Sequence, residues 1–134
     1  MTDNEEIIKV IQTFFEAGRT KNFSALRNIQ LDSKEFSSFS DIPPYGLKDY
    51  SESIALEELR FSSITDYNYE MKNEKTSIFG NIGIVTFVIK QSGMLVDSQT
   101  YTGRHITIDG RATFVLIKED TWKIIHYHLD KISA

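Results

Sequence analysis

Two histidines, the only tryptophan and an arginine in the last quarter of the sequence have residue types and a spacing suited to chemistry. His126 and His128 follow Trp122 with the same parity, and Arg111 precedes them. Because side chains alternate across a strand, an extended segment here places Trp122, His126 and His128 on one face. Imidazole exchanges protons near neutral pH, and guanidinium binds carboxylates through paired hydrogen bonds. The segment predicts one wall of a pocket for a small organic anion.

Each of these residues also has a structural interpretation. Arg111 can form an ion pair with an acid of its own chain, and the two histidines can hydrogen-bond within a sheet or an interface. Two imidazoles at i and i+2 on a strand can also chelate a metal ion, but a metal site needs a third ligand. His105 lies elsewhere in the sequence without an evident acidic partner. We therefore predict no metal site.

Arg104 joins the pocket only if the strand that carries it is irregular. Asp109-Gly110 interrupts an otherwise extended segment from Ser98 to Lys118, and glycine inside a strand is typical of a bulge or a bend. Arg104 and Arg111 have opposite parity, so a one-residue bulge between them brings both to the same face. The sequence thus predicts a bulge here and a second arginine in the pocket.

The first half of the chain is predicted to be mainly helical. Thr2 to Glu5 has the form of a capping box, and apolar residues recur at helical spacing from Asp3 to Thr20. Further helices are predicted from Ser24 to Ile29 and from Leu47 to Arg60, with an extended segment from Glu35 to Asp41 between them. The apolar stripes of these helices need a packing partner, and we expect a sheet to provide it.

From Ser63 onward the hydrophobic period is two, as in strands. Four to six antiparallel strands are predicted, with a loop from Ser92 to Asp97. The last two strands form a hairpin from Gly110 to Leu129 that turns at Glu119-Asp120-Thr121. Two or three helices followed by a strand meander give an α+β fold. The 134 residues fit one domain.

Composition excludes several classes of function. The chain has no cysteine, which removes disulfides, a thiol nucleophile and thiolate zinc sites. A formal charge of −4 with dispersed charges argues against nucleic-acid binding. No apolar run approaches the roughly 20 residues of a membrane span, and the acidic first residues are unlike a signal peptide. We expect a cytoplasmic protein with no nucleic-acid or membrane partner.

One predicted strand is apolar on both faces. Phe114 and Leu116 are as apolar as Val115 and Ile117, and an antiparallel strand of this kind needs cover on both sides. Helices can cover only one face of a small sheet. We therefore predict that a second copy of the chain covers the other face, in a homodimer or a larger assembly. The alternative is burial by the chain's own long loop.

The whole pattern resembles a known superfamily. The residues that carry the match are Glu6-Ile7-Ile8-Lys9-Val10, Phe15-Glu16-Ala17, Arg111, Trp122, His126, Tyr127 and His128. They are similar to the cone-shaped superfamily of nuclear transport factor two, ketosteroid isomerase and the SnoaL-like proteins. Within that superfamily the sequence looks most like the SnoaL-like branch that is close to the association domain of calcium/calmodulin-dependent protein kinase. The resemblance covers nearly the whole chain and implies a cone of curved sheet closed by helices, a pocket at its open end and dimers formed through the sheet.

The resemblance also suggests further site residues. Asp41 stands where the isomerase pattern places its proton-abstracting carboxylate, and Tyr45 and Tyr50 lie at the expected rim of the opening. Two isomerase features are missing, because Phe14 or Phe15 replaces the tyrosine that donates to the oxyanion and the protonated acid has no match. Steroid isomerisation is therefore not predicted. The alternatives are that Asp41 only caps a turn and that Tyr50 belongs to the core.

Two functions remain open at this point. The first is a SnoaL-like pocket protein that binds a small organic anion, with Asp41 and His126 as candidates for acid-base chemistry without a cofactor. The second is a non-catalytic homo-oligomerisation module. Its working surface is the sheet face with Phe114, Leu116, Ile125 and Tyr127.

Overall fold

The computed structural model of the chain describes residues 1–40 and 43–132. Its helices and strands follow the predicted order, with helices first and a meander second. The α+β cone with a curved five-stranded sheet is confirmed. In chain order the elements are α1 (Asp3–Thr20), α2 (Phe23–Asn28), β1 (Ser37–Phe39), α3 (Tyr50–Ser62), β2 (Ile64–Phe79), β3 (Ile82–Asp97), β4 (Thr102–Lys118) and β5 (Trp122–Lys131).

Local capping sets where the two longer helices begin. The Thr2 side chain accepts a hydrogen bond from the Glu5 backbone N–H over 3.2 Å at the start of α1. At the start of α3, Asp49 and Glu52 form a reciprocal capping box. The α1 prediction has the observed bounds, whereas α3 begins later than predicted because Asp49 is its cap. No helix in the described part of the chain is long and apolar enough to cross a membrane.

The sheet has the strand order β1-β5-β4-β3-β2. Strands β2 to β5 are antiparallel neighbours, and β1 adds one parallel pair with β5. The helices lie on the concave face, where the ring of Phe14 on α1 meets the rings of Phe114 on β4 and Tyr127 on β5 at 5.3 and 5.4 Å between centroids. The core therefore fills the space between the helices and this face.

Strand β4 passes Gly110 without a bulge, which makes that prediction wrong. Its pairing with β3 is uninterrupted, including Ile89 opposite Gly110 and Val88 opposite Arg111. A Cβ atom on Gly110 would lie 2.8 Å from the Asp130 carbonyl oxygen, so glycine here allows β5 to approach. Regular alternation leaves the two arginines of β4 on opposite faces. The loop expected before Asp97 is also strand, because β3 runs to that residue.

The irregularity lies instead in β5. Val115 pairs with His126 and Leu116 with Ile124, so Ile125 is an extra residue that shifts the alternation. Trp122 and Ile124 face the core before the bulge, and Tyr127 and Leu129 face it afterwards. The prediction that Trp122, His126 and His128 share a face is wrong for this reason. The prediction of Tyr127, Phe114 and Leu116 as an outer surface is also wrong, because all three are buried in the core.

Candidate functional site

A carboxyl group lies inside the cone, on the inward face of α3. Glu57 is only 6% exposed, and the helix buries it together with Ile54 and Phe61. Residues three and four positions apart lie on one side of a helix, so packing this face against the sheet buries the glutamate too. Because a charged side chain is rarely buried unless it is paired, the partners of Glu57 decide what it can do.

Two side chains from other elements hydrogen-bond to Glu57. The Gln30 amide, which follows α2, donates from Nε2 to Glu57 Oε1 over 2.6 Å. The Tyr127 hydroxyl on β5 donates to Glu57 Oε2. Burial raises the pKa of the Glu57 carboxyl to about 7, although both hydrogen bonds act in the opposite direction. Glu57 therefore changes charge near neutral pH, where a general acid or base works best.

The Tyr127 hydroxyl links Glu57 to a pair of serines. Burial raises the pKa of Tyr127 well above its ordinary value, and the charge of Glu57 adds to the effect. Ser38 hydrogen-bonds to the same hydroxyl and to Ser53 Oγ. Hydroxyl groups both donate and accept, so this series of hydrogen-bonded hydroxyls offers a donor to ionised Glu57 and an acceptor to protonated Glu57. The cluster accommodates either charge state.

Glu57 and Tyr127 line a small cavity within the cone. Its volume is about 30 Å³, enough for a water molecule or one small functional group. The buried side chain of Lys48 lines the same cavity, with its Nζ donating to the Gly46 carbonyl over 3.1 Å. Arg60, three residues after Glu57, lines it too. This inner cavity thus combines one carboxyl group with two cationic side chains.

A larger outer cavity lies next to the inner one. It measures about 190 Å³ and shares with the inner cavity the side chains of Arg60, Gln91 and Leu129. The Tyr67 hydroxyl donates to Gln91 Oε1 over 2.6 Å at this boundary. The outer cavity has an apolar side formed by Ile64, Tyr67, Ile106, Ile108 and Leu129, and Ser92, Asp130 and Lys131 also line it. The cone therefore has a narrow inner end that carries Glu57 and Lys48, and a wider outer space whose lining is partly apolar and partly charged, with Asp130 and Lys131 among it.

Residues 7–130 match the family model described as the SnoaL-like domain. The chain belongs to the SnoaL-like domain family. The match spans the segment from α1 to β5 and therefore includes every group of the buried cluster. The resemblance seen in the sequence is confirmed. A comparison with curated proteins finds no match.

Solved structures share this SnoaL-like fold. A protein of the NTF2-like family from Streptomyces avermitilis superposes with a TM-score of 0.80 at 16% identity, over 97% of this chain and 96% of that one. An NTF2-like superfamily protein from Salmonella enterica gives 0.80 at 16%, over 98% and 92%. A ketosteroid isomerase-like protein from Erwinia carotovora atroseptica gives 0.73 at 16%, over 97% and 96%. At such identities the likeness establishes the fold alone.

His126 and His128 lie on the outer face of this SnoaL-like cone. Ser37 on β1 hydrogen-bonds to His126 Nδ1 over 2.8 Å, and the Phe39 ring contacts both imidazoles at 6.3 and 5.9 Å between centroids. Burial beside these neighbours lowers the pKa of His126. His126 therefore hydrogen-bonds within the sheet, which is the structural interpretation. A ligand role for either histidine stays a prediction, and it requires a ligand on the outer face.

Arg111 also points away from the cavities. Its Nε and Nη2 donate to Asp130 Oδ1 and Oδ2 over 3.0 and 3.1 Å, and its side chain is 67% exposed. The ion-pair interpretation therefore describes this residue. Arg104 is exposed near the turn between β3 and β4, where it pairs with Leu95. The structure does not bring the two arginines together.

The remaining predicted residues are spread around the fold. Trp122 is buried, and its Nε1 donates to Asp3 Oδ1 over 3.1 Å, which ties α1 to the last hairpin. Tyr45 is exposed. Tyr50 is half-buried against the core, and its hydroxyl donates to a backbone carbonyl of α2. Asp41 lies outside the described residues. Among residues 1–40 and 43–132, no cluster of three or more acidic or histidine side chains could hold a metal ion.

The cluster around Glu57 is not among the site residues predicted from the sequence. One signal was available, because Glu57 falls on the apolar stripe of its helix between Ile54 and Phe61. A charged residue at such a position lies either at the edge of the stripe or buried with a partner. Tyr127 gave no comparable signal, since the bulge at Ile125 reverses the face that simple alternation assigns to it.

Proposed function

We propose that this SnoaL-like chain binds a small organic molecule within the cone and that Glu57 is its acid-base group. The observation that carries the proposal is a buried carboxyl group that lines a cavity and has its pKa raised to about 7. A titratable group so placed in a concave site is a candidate for catalysis. The site needs no cofactor for the chemistry proposed.

The proposed reaction is proton transfer at a carbon next to a carbonyl group. The Glu57 carboxylate takes the proton, the C–H bond breaks, and its electron pair moves onto the carbonyl oxygen as an enolate. Cationic side chains near the developing oxyanion stabilise it, and Lys48 and Arg60 line the cavity. Return of the proton to the same or another carbon restores Glu57. The same cations favour a ligand with an anionic or electron-rich end.

Hydrogen–deuterium exchange tests this proposal without knowledge of the natural substrate. The protein is incubated in D₂O with butanone or 2-acetonaphthone, and NMR follows deuterium entering the carbon next to the carbonyl. We expect exchange faster than in buffer, and loss of this acceleration in Glu57→Gln. Glu58→Gln is the matched control, because Glu58 is the next residue but pairs with Arg27 at the surface. Equal rates for Glu57→Gln and the wild type would contradict the proposal.

We also propose self-association through the outer face of the sheet. The observation that supports it is a row of half-buried apolar side chains there, with Ile84 opposite Val115 and Ile82 opposite Ile117 across β3 and β4. This surface replaces the one predicted from the sequence. Sedimentation of the wild type and of Val115→Lys tests it, with Thr107→Lys as the control on the same face. A wild type that sediments as a monomer at micromolar concentration contradicts it.

A further inference from the structure

Strand β4 extends beyond its neighbour β5 and leaves part of one edge of the sheet without a partner. Its pairing with β3 continues without interruption to Thr102, whereas its pairing with β5 ends at Gly110. One further bond on this side is donated by the Ile132 backbone N–H to the Asp109 carbonyl over 2.8 Å. Within the described part of the chain, residues 102–107 therefore have a neighbouring strand on one side only, and we name this segment the open edge.

The bond to Asp109 shows which backbone groups of the open edge point away from β3. In an antiparallel strand the N–H and C=O groups of one residue point to the same neighbour, and those of the next residue point to the other. Because the backbone of Asp109 faces the β5 side, the backbone groups of Thr107, His105 and Gly103 face that side too. All three residues are exposed. The open edge thus carries a row of donors and acceptors that fits an added strand.

The open edge lacks most of the features that prevent strand pairing. Proteins blunt exposed edges with proline, bulges or charged side chains, or cover them with another element. The segment has the sequence Thr-Gly-Arg-His-Ile-Thr, without proline, and its pairing with β3 contains no bulge. Half of its residues are β-branched, which favours the extended conformation. The segment is therefore suited to accept a strand.

The side chains of the open edge indicate the sequence of that strand. Ile106 is half-buried and lines the outer cavity, and Arg104 has the same parity on β4. Arg104 is exposed and forms no ion pair with another described residue. Residues directly opposite each other in an antiparallel pair share a face, so an apolar residue fits opposite Ile106 and an acidic residue opposite Arg104. The open edge contains no acidic residue, so a second copy of it would not supply this partner.

We infer that the open edge binds an extended peptide of another protein by strand addition, antiparallel to β4 and in line with β5. The peptide has an apolar residue opposite Ile106 and an acidic residue opposite Arg104. Its backbone makes the hydrogen bonds that β5 makes further along β4, and its carboxylate pairs with the guanidinium of Arg104. This inference goes beyond the proposed function, since neither Glu57 nor the outer face of the sheet takes part.

Two synthetic peptides test the charge preference. Fluorescence polarisation follows binding of the labelled peptide Thr-Val-Thr-Glu-Thr-Val and of the same peptide with lysine in place of glutamate. The wild type should bind the glutamate peptide about tenfold more tightly, and Arg104→Glu should reverse the preference. Lys90→Glu is the matched control, because Lys90 is also an exposed cation near the open edge but lies on β3 and on the outer face. It should retain the preference.

A second experiment tests the backbone bonds. His105→Pro removes an N–H group that points to the open edge and leaves the pairing with β3 intact, whereas His105→Ala retains that group. We expect His105→Pro to weaken binding of the glutamate peptide about tenfold or more and His105→Ala to bind as the wild type does. Melting curves verify that both variants are folded.

N-methylated peptides make the same test on the wild-type protein. Methylation of the threonine between valine and glutamate removes the N–H group that faces β4 opposite His105, and it should weaken binding as His105→Pro does. Methylation of the valine is the control, because its N–H group points away from β4. It should leave binding unchanged.

The outcomes decide between the possible occupants of the open edge. Reversal of the charge preference in Arg104→Glu, with loss of binding only on threonine methylation, supports the inference. The inference is overturned if the wild type binds neither peptide or both alike, or if the two methylated peptides bind equally. It is also overturned if sedimentation shows self-association that His105→Pro abolishes and Val115→Lys does not, since a second copy then occupies the edge. Glu57-dependent deuterium exchange is independent of all these results.

Discussion

Glu57 inside the cone and Arg111 outside it are both charged side chains with two hydrogen bonds, but their surroundings differ. Arg111 faces Asp130 at the surface, where an ion pair contributes roughly 0 to 1 kcal/mol. Glu57 is shielded from water, and burial moves its pKa to about 7. The environment of a side chain, and not its residue type alone, therefore determines which group can transfer protons near neutral pH.

The largest difference in stability between inward-facing and outward-facing substitutions is expected in β4. Phe114→Ala should lower the free energy of unfolding by about 3 to 5 kcal/mol, because the ring is fully buried among other aromatic rings. Val115→Ala, one residue along on the outer face, should cost roughly 1 kcal/mol in the monomer. Urea unfolding at low protein concentration measures both. Similar costs would mean that the outer face is as well covered as the core.

The pH dependence of stability should reveal Glu57. Its folded pKa is raised from 4.5 to about 7, so the folded state holds a proton that the unfolded state has lost. The free energy of unfolding therefore falls as pH rises from about 4.5 to 7, by roughly 3 kcal/mol from this group. Glu57→Gln should lack this part of the fall. Parallel curves for variant and wild type would contradict the assignment.

Tyr127→Phe tests the hydrogen bond that favours ionised Glu57. The variant should lose about 1.5 to 3 kcal/mol of stability at pH 8, because a hydrogen bond to a charged group is lost. The loss should be smaller at pH 5, where Glu57 is protonated. Tyr69→Phe is the control, since the Tyr69 hydroxyl donates to the more exposed Glu16 over 2.8 Å. Denaturation of both variants at pH 8 and at pH 5 distinguishes Tyr127→Phe from its control.

The smallest effect is expected for Arg111. Arg111→Ala should change the free energy of unfolding by less than about 1 kcal/mol, because the pair with Asp130 is exposed to solvent. It should leave ketone binding unchanged, since Arg111 lines neither cavity. Titration with 2-acetonaphthone checks the second point. A large loss of affinity would contradict the placement of the ligand inside the cone and would restore Arg111 as a candidate binding residue.

The sequence predicted the structure correctly where its pattern is compatible with only one conformation. The apolar spacing of α1 fits only a helix, and the turn at Glu119-Asp120-Thr121 lies where β4 gives way to β5. Gly110 had two solutions, a bulge or a close approach of backbones, and the second is observed. Fold class and element order were therefore predictable, and the identity of the faces was not.

The candidate site depended on those faces. Ile124 and Ile125 are both apolar, so the sequence is compatible with either residue facing the core. The bulge at Ile125 turns Tyr127 instead of His126 towards the core, and no residue type in the sequence indicates it. The partners of Glu57 come from segments far apart in the chain, namely Gln30 and Tyr127. Contacts of this kind require the fold before they can be seen.

The most direct test of the buried site is the titration of the Glu57 carboxyl carbon by ¹³C NMR, assigned by its absence in Glu57→Gln. We expect a midpoint of about 7 and a change in that midpoint when 2-acetonaphthone is added. A midpoint near 4.5, the ordinary value, that does not respond to the ketone would contradict the assignment of Glu57 as the acid-base group.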